Sequence, residues 1–246
     1  MSFGHTDPLG TNNAAYAVSE TAYATYPHPA IHNYAQALEQ DFYGPLIANG
    51  VLYGPWVVTN IGTPTYAVGT ATVNHPGVMR ATSQASANTG CMIQLAATQI
   101  VPGGGESSEF VFNVLTTTTF MGYMGFMVFN TYNQPTIGAW INIAATTLTG
   151  VVGNGSITAT GTSYTISAAT WYRAIVQNNA GNTSWTFTLY ACAAPTTVLW
   201  QNSCSGANIP AQLLSHGVVE ANSGGSAVTL MDLDYMNLNI ANALTR

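Results

Sequence analysis

Charged side chains are scarce in this sequence, because only 5% of its 246 residues are Asp, Glu, Lys or Arg and lysine is absent. An average soluble domain carries roughly 25% charged residues. The three basic residues, Arg80, Arg173 and Arg246, lie far apart and form no cluster that could neutralise a run of phosphates. The sequence therefore argues against nucleic-acid binding. Its surface must be made polar by Thr, Ser, Asn and Gln, as in many fibres, shells and adhesins.

Long apolar runs are also missing. No stretch reaches the roughly eighteen apolar residues that a membrane-spanning helix needs, so we expect no membrane span. The opening residues, MSFGHTDPLGTNN, show no basic segment followed by an apolar one, and we therefore expect no secretory signal. Hydrophobic residues nevertheless make up 47% of the chain, which is enough for the core of one large domain.

Cysteines are few. Cys91, Cys192 and Cys204 are odd in number and lack the paired CxxC spacing of a zinc site. We expect buried or half-buried thiols. The alternative is a disulfide between Cys192 and Cys204 if the mature protein meets oxidising surroundings, which would leave Cys91 unpaired.

The N-terminal part, residues 1–45, is predicted to be an arm that serves in anchoring or oligomerisation. No sustained period is visible before residue 30, whereas Ala30 to Phe42 has apolar residues at helical spacing and is stopped by Gly44 and Pro45. We therefore predict an extended arm and one short helix. Its aromatic residues either pack under the main domain or form an oligomer interface; the interface candidates are Tyr16, Tyr23, Tyr26, Tyr34, Phe42 and Tyr43. Self-association, as a trimer, is expected.

The remainder, residues 46–246, has the pattern of an all-β domain. About a dozen short strands separated by Gly, Pro, Asn or Ser, with no amphipathic helix between them, predict a jelly-roll sandwich of two antiparallel sheets. Thr170 to Tyr190 is the clearest hairpin, because two strand-like runs flank the turn-forming residues Asn178 to Asn182. Trp185, Phe187 and Leu189 alternate with hydroxylated residues, which indicates one buried face.

The last predicted strand, Ala227 to Asn239, contains two carboxylates that are two residues apart, Asp232 and Asp234. Strict alternation places both on one face, where like charges repel. We predict a structural pair held by Arg173, whose planar guanidinium suits a carboxylate. The alternatives are a glycosidase pair, although no glutamates flank the aspartates as in laminarinase-type enzymes, and a Ca²⁺ site that would need several further oxygen ligands.

No catalytic, cofactor-binding or metal-binding motif is evident. The five histidines are His5, His28, His32, His75 and His216. They are scattered, and His28 and His32 lack a third ligand for zinc. No serine lies in a Gly-x-Ser-x-Gly elbow. The glycine-rich VPGGGESS at Val101 to Ser108 does not lead from a strand into a helix, so we interpret it as a surface loop. We therefore expect no catalytic residue, no cofactor and no metal.

Five sequence segments in a fixed order carry a family resemblance: NHPG at Asn74 to Gly77, VMRATS at Val78 to Ser83, the hairpin, NIPAQ at Asn208 to Gln212, and the closing VTLMDLDYMNLN. From about Tyr53 to Leu238 the chain resembles concanavalin A-like (laminin-G or lectin-type) sandwich proteins that tailed bacteriophages encode as virion components.

The resemblance implies a non-enzymatic virion protein, a capsid decoration or a fibre, that is made in the host cytoplasm and released by lysis. Other virion proteins of the capsid or tail would be its partners. The alternatives are a carbohydrate-binding receptor module of a tail fibre, with a host-surface glycan as partner, and a polysaccharide-degrading enzyme. The near absence of basic residues speaks against a ligand that needs them.

Overall fold

A computed structural model describes residues 36–41 (backbone only), 56–70, 72, 75, 77–95, 100–129 and 133–240. These residues form sixteen β-strands. In chain order the strands are β1 Gln36–Asp41, β2 Trp56–Ile61, β3 Thr65–Val68, β4 Met79–Thr82, β5 Thr89–Leu95, β6 Ser107–Val114, β7 Phe120–Met127, β8 Ile137–Ala144, β9 Thr147–Asn154, β10 Ile157–Ala159, β11 Tyr164–Thr165, β12 Trp171–Asn178, β13 Ser184–Ala191, β14 Val198–Ser205, β15 Ser215–Asn222 and β16 Leu230–Ile240.

The strands form two eight-stranded sheets. Within each sheet, all the paired strands run antiparallel to each other. Sheet A has the order β14-β13-β12-β6-β16-β4-β3, and β1 also pairs with β16. Sheet B has the order β10-β9-β8-β7-β15-β5-β2, and β11 also pairs with β9. The predicted all-β jelly-roll sandwich of two antiparallel sheets is confirmed.

The predicted hairpin is the β12–β13 pair. Its turn contains a short 3₁₀ segment at Ala180–Asn182, in which Gly181 has φ 75° and Asn182 has φ 53°. Glycine and asparagine tolerate this left-handed region better than other residues do. Trp185, Phe187 and Leu189 are completely buried, as their alternation predicts.

The main core lies between the sheets, where alternate side chains of both sheets meet. Phe110, Phe112 and Phe187 of sheet A pack there with Met124 and Ile141 of sheet B. The other face of sheet B carries a smaller apolar cluster around Trp140 and Tyr123. The other face of sheet A, in contrast, is largely polar.

Close contact between the sheets requires a glycine at position 150. A Cβ atom on Gly150 would lie 2.5 Å from Cγ of Phe187 and closer still to Cδ2. We expect Gly150→Ala to lower the free energy of unfolding by about 1 to 3 kcal/mol, because extra atoms in a packed core force neighbours out of their rotamers. Urea unfolding followed by far-ultraviolet circular dichroism measures this loss.

Gly161→Ala is the matched control, since a Cβ at Gly161 meets nothing within 4 Å. We expect it to be neutral or slightly stabilising, because alanine restricts the unfolded chain. Equal stability of the two variants would contradict the packing of β9 on β13.

The predicted helix Ala30 to Phe42 is wrong where the structure describes it. Residues 36–41 form strand β1, which pairs with Tyr235–Ile240 of β16. On the same side, β4 pairs only with Leu230–Leu233, so β1 satisfies the backbone groups that β4 leaves unpaired. Pairing with a long central strand outweighs a weak helical preference. Gln36–Asp41 therefore belongs to sheet A, although the predicted boundary at residue 45 assigned it to the arm.

The alternation predicted for the closing strand is broken at Asp234. Leu233 lies opposite Phe112 and Tyr235 opposite Val111, so Asp234 is the extra residue of a β-bulge. Before the bulge the odd-numbered Met231 and Leu233 face the core, and after it the even-numbered Met236 and Leu238 do. The bulge thus keeps apolar side chains inside on both halves of the strand. Asp232 and Met236 therefore lie on opposite faces, although the strict alternation predicted from the sequence would place them on the same face.

Candidate functional site

The charged residues of the described chain collect on one face of sheet A. Seven Asp, Glu, Lys or Arg residues have described side chains. Two of them are Glu106 and Glu220. The other five lie on the side of sheet A that points away from the core: Arg80, Glu109, Arg173, Asp232 and Asp234. We call this side the polar face. Other side chains on this face include Val198, which lies opposite Tyr190, and His75, Ser107, Val111, Asn113, Trp171, Ile175, Gln177, Thr186, Thr188, Tyr190, Cys192, Gln201, Ser203, Tyr235, Asn237 and Asn239.

Arg80 binds Asp232 from the neighbouring strand. Nε of Arg80 donates to one carboxylate oxygen at 2.7 Å and Nη2 donates to the other at 2.8 Å. The Arg80 side chain is 27% exposed and the Asp232 side chain 4% exposed. The hydrogen bonds to Asp232 raise the pKa of Arg80. This two-bond geometry fixes both side chains at the border of the polar face.

Arg173 binds Glu109 in the same manner, but both partners are buried. Nε donates at 2.7 Å and Nη2 at 3.1 Å, with side-chain exposures of 4% and 2%. Burial acts to lower the pKa of Arg173, whereas the Glu109 carboxylate raises it, and the net direction is upward. The guanidinium carbon lies 5.0 Å from the centre of the Tyr190 ring, within cation–π distance.

Asp234 binds His75, and His75 in turn stacks on Trp171. The Nδ1 atom of His75 lies 2.7 Å from Oδ2 of Asp234. The imidazole and indole ring centres are 4.0 Å apart at an interplanar angle of 12°. The bulge residue therefore orients a histidine ring, and that ring supports the indole.

These partners differ from those expected. Glu109 holds Arg173, and the two aspartates have separate partners in Arg80 and His75. Strand register explains the difference, because β16 places Asp232 opposite Arg80 of β4 while Arg173 lies beside β6. The sequence segments NHPG and VMRATS contain His75 and Arg80, but their spacing did not reveal these roles. Glu109 was missed altogether.

These ion pairs and hydrogen bonds support two aromatic rings, those of Trp171 and Tyr190. Trp171 and Tyr190 are each half-buried, whereas the ion-paired groups that support them are buried. Trp171 and Arg173 are two residues apart on β12, and Tyr190 lies opposite Arg173 on β13. The two rings are therefore close neighbours on the same face, and each is held by a carboxylate acting through an intermediate group.

Next to the rings, the polar face over β12, β13 and β14 carries amides and hydroxyls. Thr186 Oγ1 and Ser203 Oγ are 3.0 Å apart, and Nε2 of Gln201 donates to Thr188 Oγ1 at 3.0 Å. Gln177, Gln201 and Ser203 are exposed. We call Trp171, Ile175, Gln177, Thr186, Thr188, Tyr190, Gln201 and Ser203 the open strip.

Glu220 and His216 are titratable side chains that lie inside the core. Burial raises the pKa of Glu220 to about 8, and a hydrogen bond with Thr229 opposes this. Burial lowers the pKa of His216 to about 3; its Nε2 contacts the Ser108 hydroxyl, which itself donates to the carbonyl of Asn237 at 3.0 Å. Ser108 thus already donates its proton to the backbone, so this buried pair is structural.

The remaining sequence predictions concern the cysteines, the interface candidates, a metal site and a membrane span. Cys91, Cys192 and Cys204 are buried and form no disulfide with one another, as expected. Cys192 lies on the polar face and Cys204 in the main core, on opposite sides of sheet A. The interface candidates Tyr16, Tyr23, Tyr26, Tyr34, Phe42 and Tyr43 lie outside the described residues. Within the described ranges no group of three His, Cys, Asp or Glu side chains could hold a metal ion, and no helix has the length and hydropathy to cross a membrane.

The fold is a lectin-like jelly-roll β-sandwich. Its family is shown by sequence, since residues 74–234 match the family described as SO2946-like, C-terminal domain. The chain belongs to this family. No curated protein matches the sequence.

Solved structures share the fold at low sequence identity. A protein of unknown function, SO2946 from Shewanella oneidensis MR-1, is 15% identical with a TM-score of 0.68, covering 100% of both chains. Lectin II from Ulex europaeus is 11% identical with a TM-score of 0.57, covering 84% of this chain and 98% of the lectin. The carbohydrate recognition domain of Emp47p is 14% identical with a TM-score of 0.54, covering 85% of this chain and 96% of that domain.

Proposed function

We propose that this chain is a non-enzymatic carbohydrate-binding module whose ligand lies on the open strip. The observation that carries this proposal is the pair of half-buried rings, Trp171 and Tyr190, each supported by a buried carboxylate through His75 or Arg173. An aromatic ring offers a flat apolar surface to the C–H face of a sugar. Rings that are fixed in advance bind with a smaller loss of side-chain entropy.

The neighbours of the rings complete such a site. Sugar hydroxyls need donors and acceptors beside the apolar contact, and Gln177, Gln201 and Ser203 supply them at the surface. Two of the structural neighbours are described as a lectin and as a carbohydrate recognition domain. These descriptions support carbohydrate recognition as the use of this fold in the present chain.

The carboxylates of the polar face support binding rather than hydrolysis. Glycoside hydrolysis requires an acid and a base or nucleophile that flank the scissile bond. Here Glu109, Asp232 and Asp234 are each occupied by a cation or an imidazole, and all three are buried. We therefore assign them as positioning residues. A polysaccharide-cleaving activity that is lost in Asp232→Asn or Asp234→Asn, at unchanged stability, would overturn this assignment.

Removing either ring should weaken glycan binding. We expect Tyr190→Ala to raise the Kd for any oligosaccharide that the wild type binds by about tenfold, since an aromatic anchor in a binding site contributes more than about 1 kcal/mol. Trp171→Ala should cause a similar or larger loss. A glycan array identifies the ligand, and isothermal titration calorimetry with that ligand measures the Kd.

Val68→Ala is the matched control, because Val68 is 64% exposed but lies on β3, at the edge of sheet A opposite to β14 and away from the open strip. Its Kd should stay within about twofold of wild type. Circular dichroism of each variant separates lost binding from lost folding. Wild-type affinity in a folded Tyr190→Ala and a folded Trp171→Ala would exclude the open strip as the site.

A virion location is a second proposal. It is supported by the resemblance to phage-encoded sandwich proteins and by the very low charge content, which suits assembled particles. In this setting the module would be displayed on a capsid or tail fibre, self-associate as a trimer, and present the open strip to host-surface glycans. Immunogold labelling of purified virions tests the location, and sedimentation of the full chain tests the trimer.

A further inference from the structure

We infer that the ligand of the open strip is an uncharged oligosaccharide that contacts the protein over about two sugar rings, and that acidic glycans are excluded. This inference rests on the proposed function and adds the chemical class of the ligand. Three observations support it. Both described arginines are paired with carboxylates, the side chains of the strip are uncharged, and two buried polar atoms at the border of the strip have no hydrogen-bond partner.

No described cation is left to bind an acidic sugar. Recognition of a carboxylate or sulfate relies on charge-assisted hydrogen bonds from a basic side chain. The chain has no lysine, and Arg80 and Arg173, the two arginines in the described ranges, each hold a carboxylate by two hydrogen bonds. His75 is bound to Asp234. The formal net charge of −6 adds a general repulsion of polyanions.

The open strip itself is neutral and offers both donors and acceptors. Hydroxyl and amide groups of Thr186, Thr188, Gln201 and Ser203 form a ladder across β13 and β14. Each hydroxyl can donate one hydrogen bond and accept others, and each amide has both kinds of atom. Sugar hydroxyls have the same dual character, so the match is to a polyhydroxyl ligand.

Two unpartnered atoms mark the border of the strip on β6. Oδ1 of Asn113 and Oγ of Ser107 are buried without a hydrogen-bond partner. Asn113 lies opposite Trp171, and Ser107 lies opposite Gln177. A buried polar atom without a partner is costly. Oδ1 of Asn113 can only accept, so a hydroxyl donor satisfies it and a carboxylate oxygen does not.

The width of the strip sets the length of the ligand that it contacts. From β12 to β14 there are two strand spacings of about 4.8 Å each, so the strip is about 10 Å wide. A glycan that crosses the strands at Trp171 and Tyr190 covers this width with about two pyranose rings. Further sugar units would extend beyond β14, the edge strand of sheet A.

The experiment titrates the full chain with two panels of oligosaccharides by isothermal titration calorimetry. The neutral panel contains gluco-, galacto-, manno- and xylo-oligosaccharides, and the acidic panel contains uronic-acid and sulfated oligosaccharides of the same length. We expect at least one neutral ligand to bind at least about tenfold more tightly than every acidic one. Its Kd should stay constant between about 50 mM and about 500 mM NaCl, because no ion pair is formed.

A pair of matched variants locates the contact. Gln201→Met removes an amide from the strip, and we expect it to weaken the neutral ligand about five- to tenfold. Gln212→Met removes an exposed amide outside the strip, where its Nε2 donates to Asn154, and should leave the Kd unchanged.

The outcomes separate the two proposals. If acidic glycans bind more tightly than neutral ones, or if the affinity falls steeply with salt, the present inference is wrong while carbohydrate binding stands. If no glycan of either panel binds, the proposed function itself fails and the inference with it. An equal loss in Gln201→Met and Gln212→Met would remove the open strip as the contact surface.

Discussion

Glu220→Gln is expected to raise the free energy of unfolding at pH 8 by about 3 to 5 kcal/mol. The carboxyl group of Glu220 is completely buried between the sheets, and its pKa is raised from 4.5 to about 8. Between these two pH values the unfolded chain releases the proton while the folded chain keeps it. Stability therefore falls as pH rises through this window, by about 1.4 kcal/mol per pH unit.

The surroundings of Glu220 explain why ionisation is costly. One carboxyl oxygen contacts the Thr229 hydroxyl, which lies 2.9 Å from the Ser83 hydroxyl, and the other oxygen has no partner. Glu220 also raises the pKa values of Cys91 and Tyr66, although burial is the larger cause for both. No described arginine is available, since Arg80 and Arg173 bind other carboxylates.

His216 must be considered in the same titration. Its pKa is lowered from 6.5 to about 3, so between these values the unfolded chain binds more protons and stability rises with pH. The two slopes oppose each other between about 4.5 and 6.5. From these two groups we expect a plateau there in the wild type and a fall from about 6.5 to 8. The difference between Glu220→Gln and wild type isolates Glu220, because His216 is present in both.

Urea unfolding at intervals from pH 4 to pH 8.5 measures this difference. It should be close to zero at pH 4, rise with pH and level off above about pH 8. A difference that stays constant with pH would mean that Glu220 has the same pKa in the folded and unfolded chain, contrary to its burial between the sheets.

Arg173→Ala should cost about 3 to 5 kcal/mol of unfolding free energy at neutral pH. The substitution leaves the buried carboxylate of Glu109 without its cation, which is far more costly than losing an exposed pair. It also removes the guanidinium that supports Tyr190. We therefore expect the folded fraction of this variant to bind glycan more weakly, as Tyr190→Ala does.

Two variants test the origin of that cost. Glu109→Gln combined with Arg173→Met removes both charges and should recover a large part of the lost stability, because the penalty arises from an unpaired buried charge. Arg80→Ala, at the more exposed pair, should cost about half as much or less. A loss below about 1 kcal/mol in Arg173→Ala would show that the Glu109 pair is solvent-accessible.

Sequence patterns predicted those parts of the fold that depend on residues close together in the chain. The β12–β13 hairpin is specified by alternating apolar residues around Asn179, Gly181 and Asn182, and the structure has it within one residue of the predicted bounds. Strand β9 was not predicted, because Gly150 and Gly153 interrupt its pattern. Gly150 is needed only because Phe187, 37 positions further along the chain, packs against it.

The candidate site could be predicted only in part, because its pairs join distant strands. Arg173 and the two aspartates were recognised as charges that need partners, but the partners depend on strand order and on the bulge at Asp234. Glu109 lies in a mostly apolar run and has no partner close to it in sequence. The prediction of a helix at Ala30 to Phe42 was wrong for a related reason, because residues 36–41 pair with the half of β16 that β4 leaves unpaired.

A crystal structure of the chain with the tightest-binding neutral oligosaccharide is the most direct test of carbohydrate recognition by the polar face. We predict a sugar ring packed within about 4 Å of the Trp171 or Tyr190 ring, with its hydroxyls hydrogen-bonded to the amides and hydroxyls of the open strip. A sugar bound on sheet B, or at the loops away from β12 to β14, would contradict it.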